Sequence, residues 1–361
     1  MPESHDAAWM ARALFLAERG RGRTAPNPLV GAVVVSDAGI VVGQGGHLRA
    51  GGPHAEVVAL EDAGPLARGA TLYCTLEPCC HVGRTGPCVE RVAAAGVRRV
   101  VTAIDDPNPR VRGGGHAWLR AHGIAVETGV GRDAAARQNA PFFTWITQGR
   151  PWTVLKTTTS ADGFVGRRDE RTRLSGAAAD RWMHRQRAWI DAIVVGADTV
   201  IADDPVLTAR GAFRERPLTR VVIDWRARTS PGARVWSTAS AGPVIMVVLQ
   251  SAVDADPKRF DLLRGHGVRI EAYETRDLAV VARRLAAEGV QSVLLEGGPA
   301  LQQAWVEAGL VDEVQWLLTP ARLAEGVPMV AAVKDRLSGL AGPQRQWTRL
   351  GDDWLVEGTW S

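Results

Sequence analysis

Cysteine is scarce in this 361-residue chain, which has four. These are Cys74, Cys79, Cys80 and Cys88, all within one short window. A disulfide framework spreads its cysteines along the chain and needs an oxidising compartment, so a bridged secreted scaffold is excluded. A local metal site is the better reading. Runs of about eighteen apolar residues are also missing, which excludes a membrane-spanning helix. Met1-Pro2-Glu3-Ser4-His5-Asp6 lacks the basic start and apolar core of a signal peptide, so a cytoplasmic protein is expected. Charge of one sign is lacking too: 43 Lys and Arg stand against 39 Asp and Glu, a formal net charge of +4. There is no run of five or six basic residues, and the 13 tryptophans are scattered. Both facts argue against a nucleic-acid surface and leave small anionic molecules as the partners that fit.

What is present describes a globular protein, 46% hydrophobic and 23% charged. The length suits two domains. A short Gly/Pro segment, Gln148-Gly149-Arg150-Pro151, marks the boundary, giving expected domains of 1–148 and 149–361. Hydrophobic periodicity predicts a helix near 6–19, strands at 32–35 and 40–42, and a helix starting near His54. A strand at 71–74, a helix starting at 87–88, a strand at 97–103 and a helix over 134–146 follow. Past the boundary come strands at 152–156, 192–196, 220–224, 244–248, 292–296 and 313–318, with helices over 177–188, 278–287 and 299–308. Alternating helices and strands argue for layered α/β domains with a mixed sheet in the first.

The chemistry lies between His54 and Cys88. Pro53-His54-Ala55-Glu56 opens the stretch, and Pro78-Cys79-Cys80 and Pro87-Cys88 close it. One histidine and two cysteines can fill three corners of a Zn²⁺ tetrahedron, leaving the fourth for water, as in catalytic zinc sites. Cys80 also follows Pro78 and competes with Cys79. Glu56, two positions beyond His54 on a helix's first turn, is placed to carry protons without binding metal. The pattern H-x-E followed by P-C is that of zinc deaminases acting on bases. A structural zinc module would need a fourth ligand, from Cys80 or His81.

Here the chain resembles the bifunctional deaminase/reductase family of riboflavin biosynthesis. That family carries PHAE, TLEPC and GRT-x-P-C, matched by Pro53–Glu56, Thr75–Cys79 and Gly83–Cys88. The resemblance continues through Lys156, Asp162-Gly163, Gly196–Thr208 and Glu296-Gly297-Gly298-Pro299. It implies a cytidine-deaminase-like three-layer N-terminal domain and a dihydrofolate-reductase-like C-terminal domain. It implies Zn²⁺ on His54, Cys79 and Cys88, with Glu56 as the catalytic proton carrier and Asn27 touching the pyrimidine. Thr159, Thr199, Asp203 and Gly298 match NADPH contacts. Arg187, Leu207, Arg210 and Glu296 match substrate contacts, the two arginines forming a clamp for a ribose phosphate. Small phosphorylated pyrimidines are therefore the expected substrates, and a homo-oligomer is expected.

Two features depart from the family. Its Ser-x-Trp-Ile-Thr segment reads Arg171-Thr172-Arg173-Leu174-Ser175 here. Trp225 follows the strand residue Asp224 where the family has a small polar residue. A deaminase with a degenerate reductase half therefore stays open as the alternative. Finally, Gly129-Val130-Gly131-Arg132-Asp133-Ala134 imitates a dinucleotide fingerprint but lacks the acidic residue about twenty positions on, so it reads as a turn.

Overall fold

Glycines in strand positions shape the first of two units, Met1–Gly149 and Arg150–Ser361, into which this computed structural model divides. It describes residues 3–81, 86–109, 111–168, 172–339 and 345–360. In the first unit β1 (Gly31–Val35) pairs antiparallel with β2 (Val41–Gly46) and β3 (Thr71–Cys74). Parallel β4 (Arg99–Thr102) and β5 (Ala125–Thr128) complete the order β2-β1-β3-β4-β5. One face is covered by α1 (Glu3–Glu18) and α5 (Arg132–Gln138) through Met10, Ala13, Leu16 and Ala135. The other is covered by α2 (Ala55–Ala63), α3 (Cys88–Ala94) and α4 (Gly114–Ala121), through Ala59, Val92 and Leu119 among others. This is the expected three-layer domain with a mixed sheet.

Strand β2 runs to Gly46, well past the end that periodicity gives it. A Cβ on Gly43 would lie 2.2 Å from the Ala59 carbonyl oxygen, and one on Gly45 2.8 Å from that of Ala55. Bare backbone is what lets α2 lie flat on the strand, and bare backbone carries no hydrophobic pattern to read. The helix expected over 134–146 breaks at Asn139 into α5 and α6 (Ala140–Gln148). Asn139 is buried, and its amide accepts from the Leu29 N–H and donates to the Leu29 carbonyl, both at 2.8 Å. It thus satisfies the irregular backbone between Asn27 and β1, which no sheet partner reaches. Gly129 and Gly131 take positive φ ahead of the seven-residue α5, a turn and nothing more.

The second unit carries a nine-stranded sheet, β11-β10-β9-β8-β12-β6-β13-β16-β15. Its parallel strands are β6 (Trp152–Thr159), β8 (Ala192–Gly196), β9 (Thr219–Ile223), β10 (Val244–Leu249), β11 (Val268–Tyr273), β12 (Ser292–Leu295) and β13 (Glu313–Leu318). An antiparallel hairpin of β15 (Arg345–Leu350) and β16 (Asp353–Thr359) extends it, and β7 (Phe164–Gly166) pairs with β14 (Val327–Pro328). The flanking helices are α7 (Ala177–Trp189), α8 (Ala197–Asp203), α9 (Gln250–Ala255), α10 (Pro257–Gly265), α11 (Leu278–Ala287), α12 (Pro299–Glu307) and α13 (Ala331–Gly339). Strands buried on both faces, such as Ala192–Val195 and Val293–Leu295, read as unbroken apolar runs. No helix among the described residues is long and apolar enough to cross a membrane.

Replacing Asn139 by Ala strands two buried backbone groups of Leu29, each worth about 1–3 kcal/mol. We expect a loss of about 2–4 kcal/mol in denaturant unfolding of the full chain.

Candidate active sites

Two helix starts meet in the first unit. His54 is the N-cap of α2, with extended backbone, and Cys88 opens α3 behind Pro87. Cys79 arrives on the loop leaving β3. His54 Nδ1 lies 3.2 Å from Cys88 Sγ and 3.6 Å from Cys79 Sγ, and the Cys88 N–H points at Cys79 Sγ at 3.4 Å. The three ligand atoms lie within 4.8 Å of one another. Cys80 is not in this cluster, and its sulfur faces Gly114. Cys74 is fully buried in the core, where desolvation pushes its thiol well up. Of the loop between Cys80 and Cys88, residues 82–85 lie outside the described residues.

Electrostatics mark the cluster as a cation site. A hydrogen bond from Cys88 lowers the Cys79 thiol to about 4, and the same bond pushes Cys88 up. The hydrogen bond to Cys79 also raises His54. Glu56, 4% exposed on the first turn of α2, is raised by burial and by the charge on Cys79. One nitrogen and two sulfurs, with no fourth protein ligand among the described residues, suit Zn²⁺ with an open position.

Asn27 sits beside this cluster through a residue that sequence reasoning missed. His47 is buried, its Nδ1 2.9 Å from the Pro53 carbonyl and its Nε2 3.0 Å from Asn27 Nδ2. A carbonyl only accepts, so Nδ1 carries the proton and Nε2 accepts from the Asn27 amide. That leaves the Asn27 oxygen as the free acceptor. Desolvation lowers the His47 pKa, which keeps the ring neutral in this role. The ring also meets His54 edge to face at 5.5 Å between centroids. No spacing rule singles out His47; only the fold brings it here.

In the second unit a cleft of about 580 Å³ opens at the C-terminal ends of β6, β8 and β12, where parallel sheets bind ligands. Thr199, Asp203, Leu207, Arg210, Glu296 and Gly298 line it. Thr199 Oγ1 accepts from the Gly298 N–H at 3.1 Å, tying α8 to the glycine turn that opens α12. Leu207 has φ 58 and is 3% exposed, a left-handed conformation costing about 1–2 kcal/mol. Strain of that kind gathers at ligand sites.

Two expected residues have protein partners of their own. Thr159 does not line the cleft: it is fully buried, and its hydroxyl accepts from the Trp316 indole at 2.8 Å. Side chains alternate along β6, so Lys156 and Thr158 share the less buried face, and Thr158 lines the cleft. Arg187 lines the cleft but is not a free clamp. Its Nε and Nη2 bind both Glu296 oxygens at 2.8 and 2.6 Å, and Nη1 reaches the Thr208 carbonyl at 3.3 Å. Burial pushes the Glu296 carboxyl up, but the charge and hydrogen bonds of Arg187 outweigh it and hold it below its usual value. Lys156, half-buried beside this pair, is lowered by desolvation. It stands in the sequence pattern without having been assigned a role.

Of the altered family positions, the described segment from 172 to 175 lines the cleft. Arg173 lines it, bound to Asp180 at 2.6 Å, and Leu174 and Ser175 line it too. Trp225 packs against Tyr273, outside the cleft lining. Arg171 lies outside the described residues.

Comparison with known proteins is decisive. The family model described as the RibD C-terminal domain matches residues 151–356, and the cytidine and deoxycytidylate deaminase zinc-binding region matches residues 3–104. The chain is 34% identical to riboflavin biosynthesis protein RibD of Aquifex aeolicus over 97% of both. It is 38% identical to that of Escherichia coli, over 88% of both. The chain belongs to the RibD family. Acinetobacter baumannii RibD superposes with a TM-score of 0.85 at 34% identity, covering 99% of each chain. A Thermotoga maritima diaminohydroxyphosphoribosylaminopyrimidine deaminase/5-amino-6-(5-phosphoribosylamino)uracil reductase gives 0.83 at 30%, again over 99% of each. The protein is a bifunctional riboflavin-biosynthesis enzyme with deaminase and reductase domains, and Zn²⁺ and NADPH are its cofactors. The open donor set fits the metal, and the glycine turn at the start of α12 fits a pyrophosphate.

Removing the negative member of the reductase cluster should be costly. Glu296→Gln leaves the largely buried Arg187 without its carboxylate, and we expect a loss of about 3–5 kcal/mol in denaturant unfolding. Because the Glu296 carboxyl is held low, wild-type stabilisation from the pair is complete above the ordinary carboxylate range. It fades only as pH falls through a value below 4.5, so the gap between wild type and variant should close in acid.

Proposed function

We propose that the first unit hydrolytically deaminates 2,5-diamino-6-ribosylamino-4(3H)-pyrimidinone 5′-phosphate. The second then reduces the resulting 5-amino-6-(5-phosphoribosylamino)uracil to its ribitylamino form. The observation that carries this reading is the convergence of His54, Cys79 and Cys88 with Glu56 sealed beside them. The name of the Thermotoga relative states the same pair of activities.

His54, Cys79 and Cys88 would hold Zn²⁺, which supplies Lewis acidity and lowers the pKa of water to about 7. Glu56 carries one proton from the attacking water to the ring nitrogen, then a second from the new hydroxyl on the attacked carbon to the amino group, which leaves as ammonia. Burial that raises its carboxyl brings it toward the neutral range where such transfers work best. The Asn27 oxygen, oriented by His47, accepts from an N–H of the pyrimidine. Orientation of this kind raises the fraction of bound substrate that can react.

In the second unit NADPH supplies the hydride. Thr158, Thr199, Asp203 and the Gly298 turn are the residues positioned to hold it. Arg187 fixes Glu296, whose carboxylate and the neighbouring Lys156 ammonium bracket the place where the sugar's charge changes. Arg210 remains the arginine for the substrate phosphate. A reducing cytoplasm suits the four free thiols.

Glu56→Gln should keep its zinc and lose deamination by about 10²–10⁴-fold, read as ammonia release, with reduction of the deaminated substrate intact. Cys88→Ala should lose both metal and deamination. Ammonia release at the wild-type rate from Glu56→Gln would remove the proton-carrying role.

A further inference from the structure

Two residues before Cys79 lies a carboxylate that the reaction does not use. Glu77 is 3% exposed, and its two oxygens accept four backbone N–H groups. Oε2 takes those of Asp106 at 3.2 Å and Gly113 at 2.9 Å; Oε1 takes those of Gly115 at 2.9 Å and His116 at 3.2 Å. The last three surround the start of α4, whose own N-cap, Gly113, offers no side chain and whose first turn has no acid. Glu77 thus caps α4 from another segment, bringing the negative charge that a helix N-terminus favours. Its oxygens also come within ligand distance of groups on Asp105 and His116. With four donors already on the carboxylate, that trio reads as a fastening, and we assign it no ion.

The fastening is tight from the other side too. A Cβ on Gly115 would lie 2.0 Å from the Pro78 carbonyl oxygen, and one on Gly114 2.9 Å from Cys80 Sγ. The Glu77 N–H donates to the Ile104 carbonyl at 3.0 Å. Residues 77–80 are therefore held between the end of β4 and the glycine start of α4, with Cys79 inside the held segment. Resting on the zinc reading above, we propose that Glu77 is a positioning residue of the deaminase centre. Its carboxylate sets where Cys79 presents its sulfur, and so tunes the metal's affinity and ligand geometry.

Glu77→Gln keeps the shape but turns an NH₂ group against backbone N–H donors. Outer-shell changes of this kind cost about 10–100-fold in metal affinity. In chelator competition the variant should bind zinc weaker by about that factor. In the cobalt(II)-substituted enzyme its thiolate charge-transfer and ligand-field bands should shift, while reduction by the second unit proceeds at the wild-type rate. Wild-type zinc affinity with an unchanged cobalt spectrum overturns the proposal, even if the thermal midpoint falls. Should Glu77→Gln not fold, Gly115→Ala pushes on Pro78 from the α4 side, and the same two readouts decide in the same way. If the wild-type chain itself shows no cobalt–thiolate bands, the zinc reading fails and the proposal falls with it.

Discussion

Ligands from distant parts of a chain can share one ion only if the backbone delivering them is held to tenths of an ångström. In this protein that constraint is met by helix starts. His54 and Cys88 each stand where a helix begins, so their backbones are fixed by α2 and α3 rather than by loop conformation. The helices in turn are fixed by the sheet: α2 lies on the glycines of β2, with no side chain between. A larger residue at Gly43 or Gly45 would lift α2 and carry His54 and Glu56 away from the two sulfurs. Distance from a reacting atom is thus a poor guide to which residues the chemistry needs.

The supporting polar groups follow the same logic. Asn139, Glu77 and His47 are each buried, and each satisfies backbone or amide groups in an irregular segment bearing a site residue. Irregular backbone has no ladder to fill its hydrogen bonds, so a side chain must do so where water is excluded. Such side chains fasten the segment as well as satisfy it. The Asn27 segment, the Cys79 loop and the Pro53–His54 junction are each held in this way.

How much of this was legible follows from what sequence pattern encodes. The zinc residues and Glu56 announce themselves because few residue types bind zinc and their spacing reflects helix geometry. Parallel strands such as Val293–Leu295 are legible because burial on both faces leaves an apolar run. Strand β2 was half hidden because its packing surface is the absence of side chains. Arg187 was legible as a cleft residue but not as half of an ion pair, since Glu296 lies 109 positions away. His47 and Glu77 carry no chemical signature at all until the fold shows what they touch.

The two sites also treat buried charge in opposite ways, and that difference selects their ligands. In the first unit a histidine and two thiols converge beside a buried glutamate, so the pocket is rich in metal-binding donors. A divalent cation satisfies those donors, and both sulfurs can then be thiolates. In the second unit Lys156, Arg173, Arg187, Arg210 and Arg234 line the cleft against Asp180, Asp203, Asp204 and Glu296, an excess of one positive charge. That small excess suits phosphate-bearing ligands. A chain with almost no net charge has thus separated its charges into one pocket suited to a metal and another suited to phosphates. The overall balance of +4 conceals both.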